Sequence, residues 1–484
     1  MSEIYRNARR VLVWLGDDSG LADRIFGLVE RTFKQITEAG GGFSSSPPKS
    51  IHDWTRSRLT PEDINALDSQ DWKFLDAVFS DEYFRRVWVM QEIGIASKAK
   101  ILFGGEEVEW LTLVTVATFL NQEGYPIRAR WALRPFRMMQ MFRLFHDDFM
   151  QDRSFIWLMH RCRQMRCSDR KDRIYALLAH PYARAIGPFE VNYASSTSIT
   201  YQAFALDWIS KTRCVNILSL GGYRMPGSSF PSWAPYLQSH NYTVLSLNES
   251  DFSASGSFPA RVSSISAGIL SVYGLTIDHI SARTATLCPK DFLYTPYAPV
   301  RPANSPTGIT ALWQECVTWP LVSEYTHLPS RFHAFLLTLL PWRTAEEKIV
   351  LRHGVSYWKQ AKGEGPSSEA IVTDYDNALQ DALNGLYDPK VGWVWYMKNV
   401  KVVSKGRQMF YTTGGRLGLG PADMEDGDLV SVLFGGELPY ILRPAGQPGQ
   451  YKLVGECYIP NLVHGEAIGV WQSGGLQEVE YHII

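Results

Sequence analysis

The stretch FRRVWVMQEIGIASKAKILFGG, residues 84–105, decides the fold of the first part of the chain, because a helical pattern passes directly into a strand. Within it Trp88, Gln91 and Glu92 stand at positions i, i+3 and i+4, so they share one face of the predicted helix. The other faces carry apolar side chains such as Val87 and Met90. The pattern therefore predicts a helix that is buried nearly all round and turns a polar pair inward.

The carboxylate of Glu92 requires a partner in this setting, since a buried and unpaired carboxylate either costs several kcal/mol or stays protonated. We expect Arg173 and Tyr175, from the segment DRKDRIYALLAH (residues 169–180), to lie beside it. One interpretation is a structural lock that joins two helices and a strand. The other is a carboxyl group of raised pKa that lines a pocket. We favour the lock, because networks of this kind commonly shift pKa values without any catalytic role.

Composition and charge describe an ordinary globular protein. Of 484 residues, 45% are apolar and 20% are charged, and the formal net charge is -1, which argues against nucleic acid or an anionic membrane surface as a partner. No apolar run approaches the ~18 residues of a membrane span, and the N-terminus lacks the apolar core of a secretory signal. Six scattered cysteines fit reduced thiols. These features predict a cytoplasmic location, and they leave the oligomeric state open.

The order of the patterns predicts an α/β protein that is α+β overall. Helical and strand signals alternate over residues 1–245, short β-like runs and then mainly helical patterns occupy residues 246–400, and the remainder is rich in strands. We therefore predict three domains, with a β-rich subdomain at residues 401–484.

Motifs for cofactors and metals are absent from the sequence. GxGxxG after a strand, GxxxxGK[ST], HExxH and GxSxG do not occur in suitable contexts. The glycine-rich GGRLGLGP, residues 414–421, carries no lysine and precedes no helix signal, so its glycines predict tight β-turns. We therefore expect neither a cofactor nor a metal site.

Several segments together resemble the fungal HET family, the heterokaryon-incompatibility domain. IYRNARRVLVWLGDDSG resembles a family motif that ends in VWLG, and RRVWVMQEIGIASKAKILFGG resembles the next one, with its Trp and Gln-Glu pair. DRKDRIYALLAH is similar to the segment that closes the motif region. GRQMFYTTGGRLGLGP, GDLVSVLFGGELPYILR and YKLVGECYIPNLVHGEAI resemble the tail commonly attached to such proteins.

The resemblance also includes a departure. Family members usually begin with an ALSYVWG-type segment and a WIDAICINQ-type segment, whereas this sequence starts at the third motif. The family likeness implies a TIR-like α/β domain, here N-terminally shortened, followed by a helical middle region and the β-rich tail. It also implies the family's usual role as an effector of cell death in allorecognition between fungal strains.

Three functions remain open, and we favour an enzyme. It would be a cofactor-free catalyst of fungal secondary metabolism that folds an apolar, terpenoid or polyketide-like substrate for intramolecular cyclisation or a pericyclic, Diels–Alder-type reaction. Preorganisation alone lowers such a barrier by up to roughly 7–11 kcal/mol. The alternatives are a heterokaryon-incompatibility effector and a non-catalytic partner-binding module.

The enzyme hypothesis draws on the aromatic content of 16 Trp, 23 Tyr and 23 Phe, which suffices to line a pocket. The candidate catalytic groups are Glu92, Arg173 and Tyr175. The candidate substrate-binding residues are Trp14, Trp88, Gln91 and Trp233.

Overall fold

A computed structural model describes the following residues of the chain: 2–17, 20–39, 71–122, 125–146, 154–222, 230–237, 244–246, 251–266, 268–288, 291, 308–320, 331–341, 396 and 399–484. They form two compact units, Met1–Tyr193 and Ala194–Ile484. Both helices and mixed sheets are present and the C-terminal region is rich in sheet, so the predicted α/β class, α+β overall, is confirmed.

The first unit contains nine helices and three strands among its described residues. The helices are α1 (Ser2–Asn7), α2 (Ala22–Ala39), α3 (Asp71–Phe79), α4 (Val89–Glu92), α5 (Trp110–Gln122), α6 (Tyr125–Trp131), α7 (Phe136–His146), α8 (Phe155–Cys162) and α9 (Asp172–Tyr175). The strands are β1 (Val11–Trp14), β2 (Ala99–Phe103) and β3 (Glu106–Glu109). Short 3-10 helices occupy Glu82–Arg85 and Pro181–Ile186.

A small sheet of order β1-β2-β3 lies in this unit. β1 runs parallel to β2, and β3 returns antiparallel after a tight turn at Gly104, whose φ of 56° lies in the left-handed region that glycine tolerates. Val11 and Val13 of β1 are buried, whereas the alternate residues of the strand face outward. The buried face of the sheet packs against α5, an apolar helix that also contacts α2 and α7.

Among its described residues the second unit contains eight strands, four helices with the bounds given below, and further helical residues at 396 and 399–404. The helices are α10 (Thr197–Thr212), α11 (Gly308–Cys316), α12 (Arg331–Leu339) and α13 (Glu466–Gln472). The strands are β4 (Val262–Ser266), β5 (Ile269–Arg283), β6 (Arg407–Thr412), β7 (Leu417–Pro421), β8 (Leu429–Leu433), β9 (Tyr440–Pro444), β10 (Gln450–Glu456) and β11 (Glu478–Ile483). A 3-10 helix occupies Asn216–Leu220.

Five of these strands close into a barrel. β5 pairs with β8, β8 with β9, β9 with β10, β10 with β11, and β11 returns to β5. The long β5 takes part twice, because its first half pairs with β11 and its middle with β8, while its end continues into β6 and β7. A β-bulge between Thr276 and Asp278 marks the middle of β5, and bulges of this kind bend a strand.

The strands β6, β7 and β8 are buried at every position. The largely apolar sequences of β7 and β8 fit this burial, whereas β6 also buries Arg407, Gln408 and Thr412. Neighbouring residues of β6 belong to two different cores. Phe410 packs with Val430 and Ile441 in the barrel, and Met409 packs in a second core with α11 and α12.

The division into units differs from the three predicted domains in a way that has a clear physical cause. A fully buried ion pair joins Arg407 to Glu456 at 2.9 Å, and the backbone N–H groups of Leu245 and Ser246 donate to the same carboxylate. A predicted boundary at 245/246 would therefore cut through a buried polar network. β5, from the predicted middle domain, is likewise a barrel strand. The predicted helices at 305–400 include α11 and α12, and much of that range lies outside the described residues.

Candidate functional site

The two segments that the sequence analysis singled out meet in the first unit. The backbone N–H of Val87 donates to the carbonyl of Arg166 at 2.8 Å, so the chain before α4 runs beside the chain before α9. Trp88 stands directly before α4, and Lys171 stands directly before α9. The prediction that these segments contact each other describes the structure correctly, although the side chains involved are different.

The carboxylate of Asp172 is the centre of this contact. The indole Nε1 of Trp88 donates to its Oδ2 at 3.0 Å, and the hydroxyl of Tyr193 donates to its Oδ1 at 2.6 Å. Asp172 is 8% exposed, so its two oxygens take protein donors in place of most of their water. We name Trp88, Asp172 and Tyr193 the carboxylate junction. Hydrogen bonds to an ionised group are stronger than neutral ones, which makes the junction a firm link between three parts of the chain.

Lys171 holds the third part of the junction in place. Its Nζ donates to the backbone carbonyl of Tyr193 at 2.9 Å and lies 3.4 Å from the carboxylate of Asp169. The same Nζ lies 5.7 Å from the centroid of the Tyr193 ring. Burial and the hydrogen bond to Asp172 raise the pKa of Tyr193, so its hydroxyl remains a proton donor at neutral pH.

Gln91 completes the contact from α4. Its Nε2 donates to the carbonyls of Tyr175 and Ala176, at 3.2 Å and 3.0 Å. These carbonyls lie at the end of α9, where a helix leaves acceptors without partners of its own. Gln91 is 5% exposed, and its amide donors are used in these two hydrogen bonds.

The predicted partner of Glu92 was wrong. Its carboxylate pairs with Arg86 at 3.0 Å, and the hydroxyl of Tyr83 hydrogen-bonds to it as well. Burial and that hydrogen bond raise the pKa of Tyr83. Arg86 lies only six residues before Glu92, so a local ion pair takes the place of the expected contact with Arg173 and Tyr175.

Arg173 and Tyr175 have structural contacts of their own. The guanidinium of Arg173 donates to the carbonyl of Arg163 at 2.6 Å. The hydroxyl of Tyr175 donates to the carbonyl of Asn192 and accepts from its N–H, both at 3.1 Å. Tyr175 also packs edge-on against Tyr193, with ring centroids 5.1 Å apart. These contacts fix the segment that carries Tyr193, and they use the hydroxyl that was expected to act on a substrate.

Two of the three tryptophans predicted as pocket walls do not fit that role. Trp14 is 56% exposed, on the outer face of β1. Trp233 belongs to the second unit, is fully buried, and donates its indole N–H to the carbonyl of Gly268 at 2.8 Å. A residue without exposed surface offers a substrate nothing to contact. Of the three, Trp88 alone belongs to the carboxylate junction.

Two cavities lined by described residues lie away from the carboxylate junction, in the second unit. A groove of about 490 Å³ runs between the end of α10 and the β4–β5 hairpin, lined by Ile209, Arg213, Val262 and Tyr273 among others. A second, of about 470 Å³, lies near Arg283, Arg443 and Lys452. Within the same described ranges, no group of three or more His, Cys, Asp or Glu side chains is placed to hold a metal ion. No described helix is long and apolar enough to cross a membrane.

The arrangement at the junction favours a structural role. Each oxygen of the Asp172 carboxylate accepts one protein hydrogen bond, and the residue is 8% exposed, so little of the group is open to a substrate in this conformation. The indole, the carboxylate and the phenol come from positions 88, 172 and 193. Their hydrogen bonds join three segments of the first unit that lie far apart in the sequence. The sequence analysis placed its structural lock on Glu92, whereas these contacts are built on Asp172.

Sequence reasoning missed Asp172, Lys171 and Tyr193 as site residues. Asp172 stands in the first turn of α9, where an acidic residue is ordinarily explained by the helix dipole. Tyr193 follows in irregular chain, where no periodicity indicates its direction. The available signal was the tyrosine pair Tyr175 and Tyr193, but a segment that contains the 3-10 helix Pro181–Ile186 separates them, and a sequence alone does not show that their rings touch.

Comparisons with known proteins relate both ends of the chain to one group of proteins. The model of the family "Heterokaryon incompatibility protein (HET)" matches residues 1–92, and that of the "Het-6 beta-barrel domain" matches residues 355–470. The curated protein "Heterokaryon incompatibility protein 6, OR allele" of Neurospora crassa is 38% identical over 64 residues, which cover 13% of this chain and 9% of that relative. No solved structure matches the chain.

The described residues form an α/β protein that has the carboxylate junction in its first unit and the closed β-barrel in its second unit. These matches support the resemblance to HET-domain proteins that the sequence analysis described, over residues 1–92 and 355–470. The first match ends at Glu92 and so includes Trp88 and Gln91, while their partners on α9 lie beyond it. The barrel match includes β6 to β10, and its closure requires β5 and β11 from outside the matched range.

Proposed function

We propose that this protein acts in heterokaryon incompatibility, as an effector of allorecognition between fungal strains. The observation that carries the proposal is the carboxylate junction, in which Trp88 of the HET-matched segment is joined to Asp172 and Tyr193. The junction links three separate segments of the first unit through hydrogen bonds to one carboxylate. The name of the Neurospora crassa relative adds support, over a short aligned segment.

The test is expression in a fungal host under an inducible promoter, followed by measurement of compartment death and of heterokaryon formation between paired auxotrophic strains. We expect the protein to restrict heterokaryon formation. The variants Trp88→Phe and Asp172→Asn remove one hydrogen-bonding group each and should weaken that restriction. A matched control is Lys34→Ala on α2, whose side chain is 75% exposed and forms only an i,i+4 surface pair.

The proposal fails if heterokaryon formation and viability are unchanged while the wild-type protein accumulates in folded form. It also loses its structural basis if the two junction variants and Lys34→Ala behave alike. Thermal unfolding of each purified variant separates loss of the module's fold from loss of its activity.

A cofactor-independent cyclase is a second hypothesis with weaker support. The groove beside α10, at about 490 Å³, lies within the range of ligand pockets, roughly 300–1,000 Å³. Its lining mixes apolar side chains and Tyr273 with two arginines, and it contains none of Trp14, Trp88 and Trp233. Metabolite profiling of a deletion strain beside its parent tests this hypothesis. Loss of one product family with build-up of a precursor of the same mass would support the enzyme, and an unchanged profile would contradict it.

A further inference from the structure

The strand β1 is the edge of its sheet and exposes two large apolar side chains. Leu12 is 62% exposed and Trp14 is 56% exposed, both on the face opposite Val11 and Val13. The sheet order within the described residues is β1-β2-β3, so β1 has a neighbour on one side only. Exposed edge strands with apolar faces are templates for the addition of another strand.

The backbone of β1 shows which groups are available. Val11 and Leu15 donate their N–H groups to Lys98 and Leu102 of the neighbouring segment, at 2.9 Å each. Because N–H and C=O groups alternate in direction along a strand, those of Leu12 and Trp14 point away from β2. Within the described part of the chain they make no hydrogen bond. Two residues therefore offer both unpaired backbone groups and exposed side chains.

An antiparallel copy of the same strand fits this edge. If Val13 lies opposite Val13 of the second copy, Leu12 of each chain stands opposite Trp14 of the other. All the outward-pointing backbone groups then pair with each other, because residues directly opposite can exchange two hydrogen bonds. Each exposed Leu12 side chain also covers the partner's Trp14, a type of cross-strand pair that stabilises sheets.

The charges that flank β1 match the same register. Arg9 precedes the strand and Asp17 follows it, and both are exposed. With Val13 at the twofold axis, the segment that carries Arg9 of one copy lies beside the segment that carries Asp17 of the other, and this pairing of opposite charges occurs twice by symmetry. Neither residue has an ion-pair partner among the described residues. A different kind of partner would need its own basic and acidic ends in the correct order, whereas a second copy supplies them automatically.

We infer that this protein forms a twofold-symmetric dimer through antiparallel pairing of β1 with β1, which joins two three-stranded sheets into one. The contact is isologous, so the same residues act on both sides. It is a short interface compared with stable dimers, which bury roughly 1,200–2,000 Å². We therefore expect association in the micromolar range and rapid exchange. The dimer goes beyond the proposed role in incompatibility and does not depend on it.

Sedimentation velocity across the micromolar range tests the dimer in the full chain. We expect a monomer–dimer equilibrium whose association constant falls about tenfold or more in Trp14→Lys, in which a charge replaces the apolar contact. The matched control is Val402→Lys, because Val402 is 53% exposed and lies in the second unit. A monomer at every concentration, or a dimer unaffected by Trp14→Lys, overturns the proposal.

Two further experiments test the register. Arg9→Asp and Asp17→Arg should each weaken the dimer, and the double variant should restore it, since the exchanged charges again face each other. In the second, a Leu12→Cys chain mixed with a Trp14→Cys chain should give a disulfide-linked heterodimer, because opposite Cα atoms lie about 5.5 Å apart. Neither variant should cross-link alone beyond the wild-type background. Efficient cross-linking of either variant with itself would show another register and overturn the arrangement.

Discussion

The carboxylate junction of the first unit and the Arg407–Glu456 pair of the second unit both remove a carboxylate from water, by different means. Asp172 accepts from two neutral donors, an indole and a phenol, and the Tyr193 side of the junction is 49% exposed. Glu456 faces the guanidinium of Arg407, and both side chains are almost completely buried, at 2% and 1% exposed. Neutral donors hold the carboxylate of Asp172 near the surface, whereas the charge of Arg407 balances that of the Glu456 carboxylate in the interior.

The difference bears on how each unit responds when one partner is removed. An interior ion pair depends on both members, since either one alone is a buried and uncompensated charge. A carboxylate held by two neutral donors can lose one of them and recover part of the interaction from water. We therefore expect changes at Glu456 to act on stability more strongly than changes at the junction.

The largest effect is expected for Glu456→Ala. It leaves the Arg407 guanidinium buried without its counter-charge and removes the acceptor for the N–H groups of Leu245 and Ser246. Such a change costs about 3–5 kcal/mol in the free energy of unfolding. Urea denaturation followed by tryptophan fluorescence measures it. The double variant Arg407→Met with Glu456→Leu should be less destabilised than Glu456→Ala, and the reverse order would contradict a cost dominated by the unpaired charge.

Glu437 should make stability fall as pH rises. Burial, followed by the nearby charge of Glu456 and opposed by a hydrogen bond from Asn216, raises the pKa of Glu437 from 4.5 to about 7. The folded state then holds a proton that the unfolded state releases between these values, so the contribution of Glu437 to stability is complete below pH 4.5 and is lost as pH rises to about 7. The expected loss is on the order of 3 kcal/mol. Glu437→Gln should remove this part of the slope, and an unchanged slope would exclude Glu437 as its source.

His180, in the first unit, should make stability fall as pH decreases, which is the opposite of the effect of Glu437. Its Nε2–H donates to the carbonyl of Leu144 at 2.8 Å, and its Nδ1 accepts from the N–H of Tyr182. Burial lowers the pKa of His180 from 6.5 to about 4. The unfolded state therefore binds more protons in this window, and stability that is complete above pH 6.5 is lost as pH falls toward 4. Calorimetric scans of wild-type and His180→Gln across this range check the prediction. The variant should show a flatter pH dependence.

The smallest effect is expected at the junction. Trp88→Phe keeps most of the aromatic packing and removes the indole N–H that donates to Asp172. The carboxylate retains Tyr193 as a donor, so we expect a loss of about 1.5 kcal/mol. A loss as large as that of Glu456→Ala would show that the junction is as dependent on both partners as the buried ion pair. Chemical denaturation of the two variants under one condition makes the comparison.

Prediction from the sequence succeeded where the structure follows local pattern. The sequence predicted the strands of residues 406–456. It also predicted a contact between the segments 84–105 and 169–180. The helical-face argument directed Trp88 and Gln91 correctly toward α9. It misdirected Glu92, because a four-residue helix also brings its last residue near Arg86, and sequence spacing does not weigh a near partner against a distant one.

The site and the barrel needed information that local pattern does not hold. Tyr193 reaches Asp172 through an irregular segment, and β5 joins β11 across most of the second unit. Pairings of this kind depend on which edges remain open once the other strands have formed. Neither the alternation of apolar and polar residues nor the distribution of charge in the sequence identifies which strand edges will pair.

The pairing of β5 with both β8 and β11 has a consequence for the folding of the chain during translation. The contact between Thr276 of β5 and Tyr481 of β11 joins residues 205 positions apart. At a translation rate of ~5–20 residues per second, β5 emerges about 10–40 s before the strand that closes the barrel beside it. During that interval the nascent chain carries an incomplete barrel with an open edge, a typical substrate for chaperones that shield unpaired strands. Ribosome-bound chains stalled before β11 should therefore recruit such chaperones, and chains that include β11 should release them.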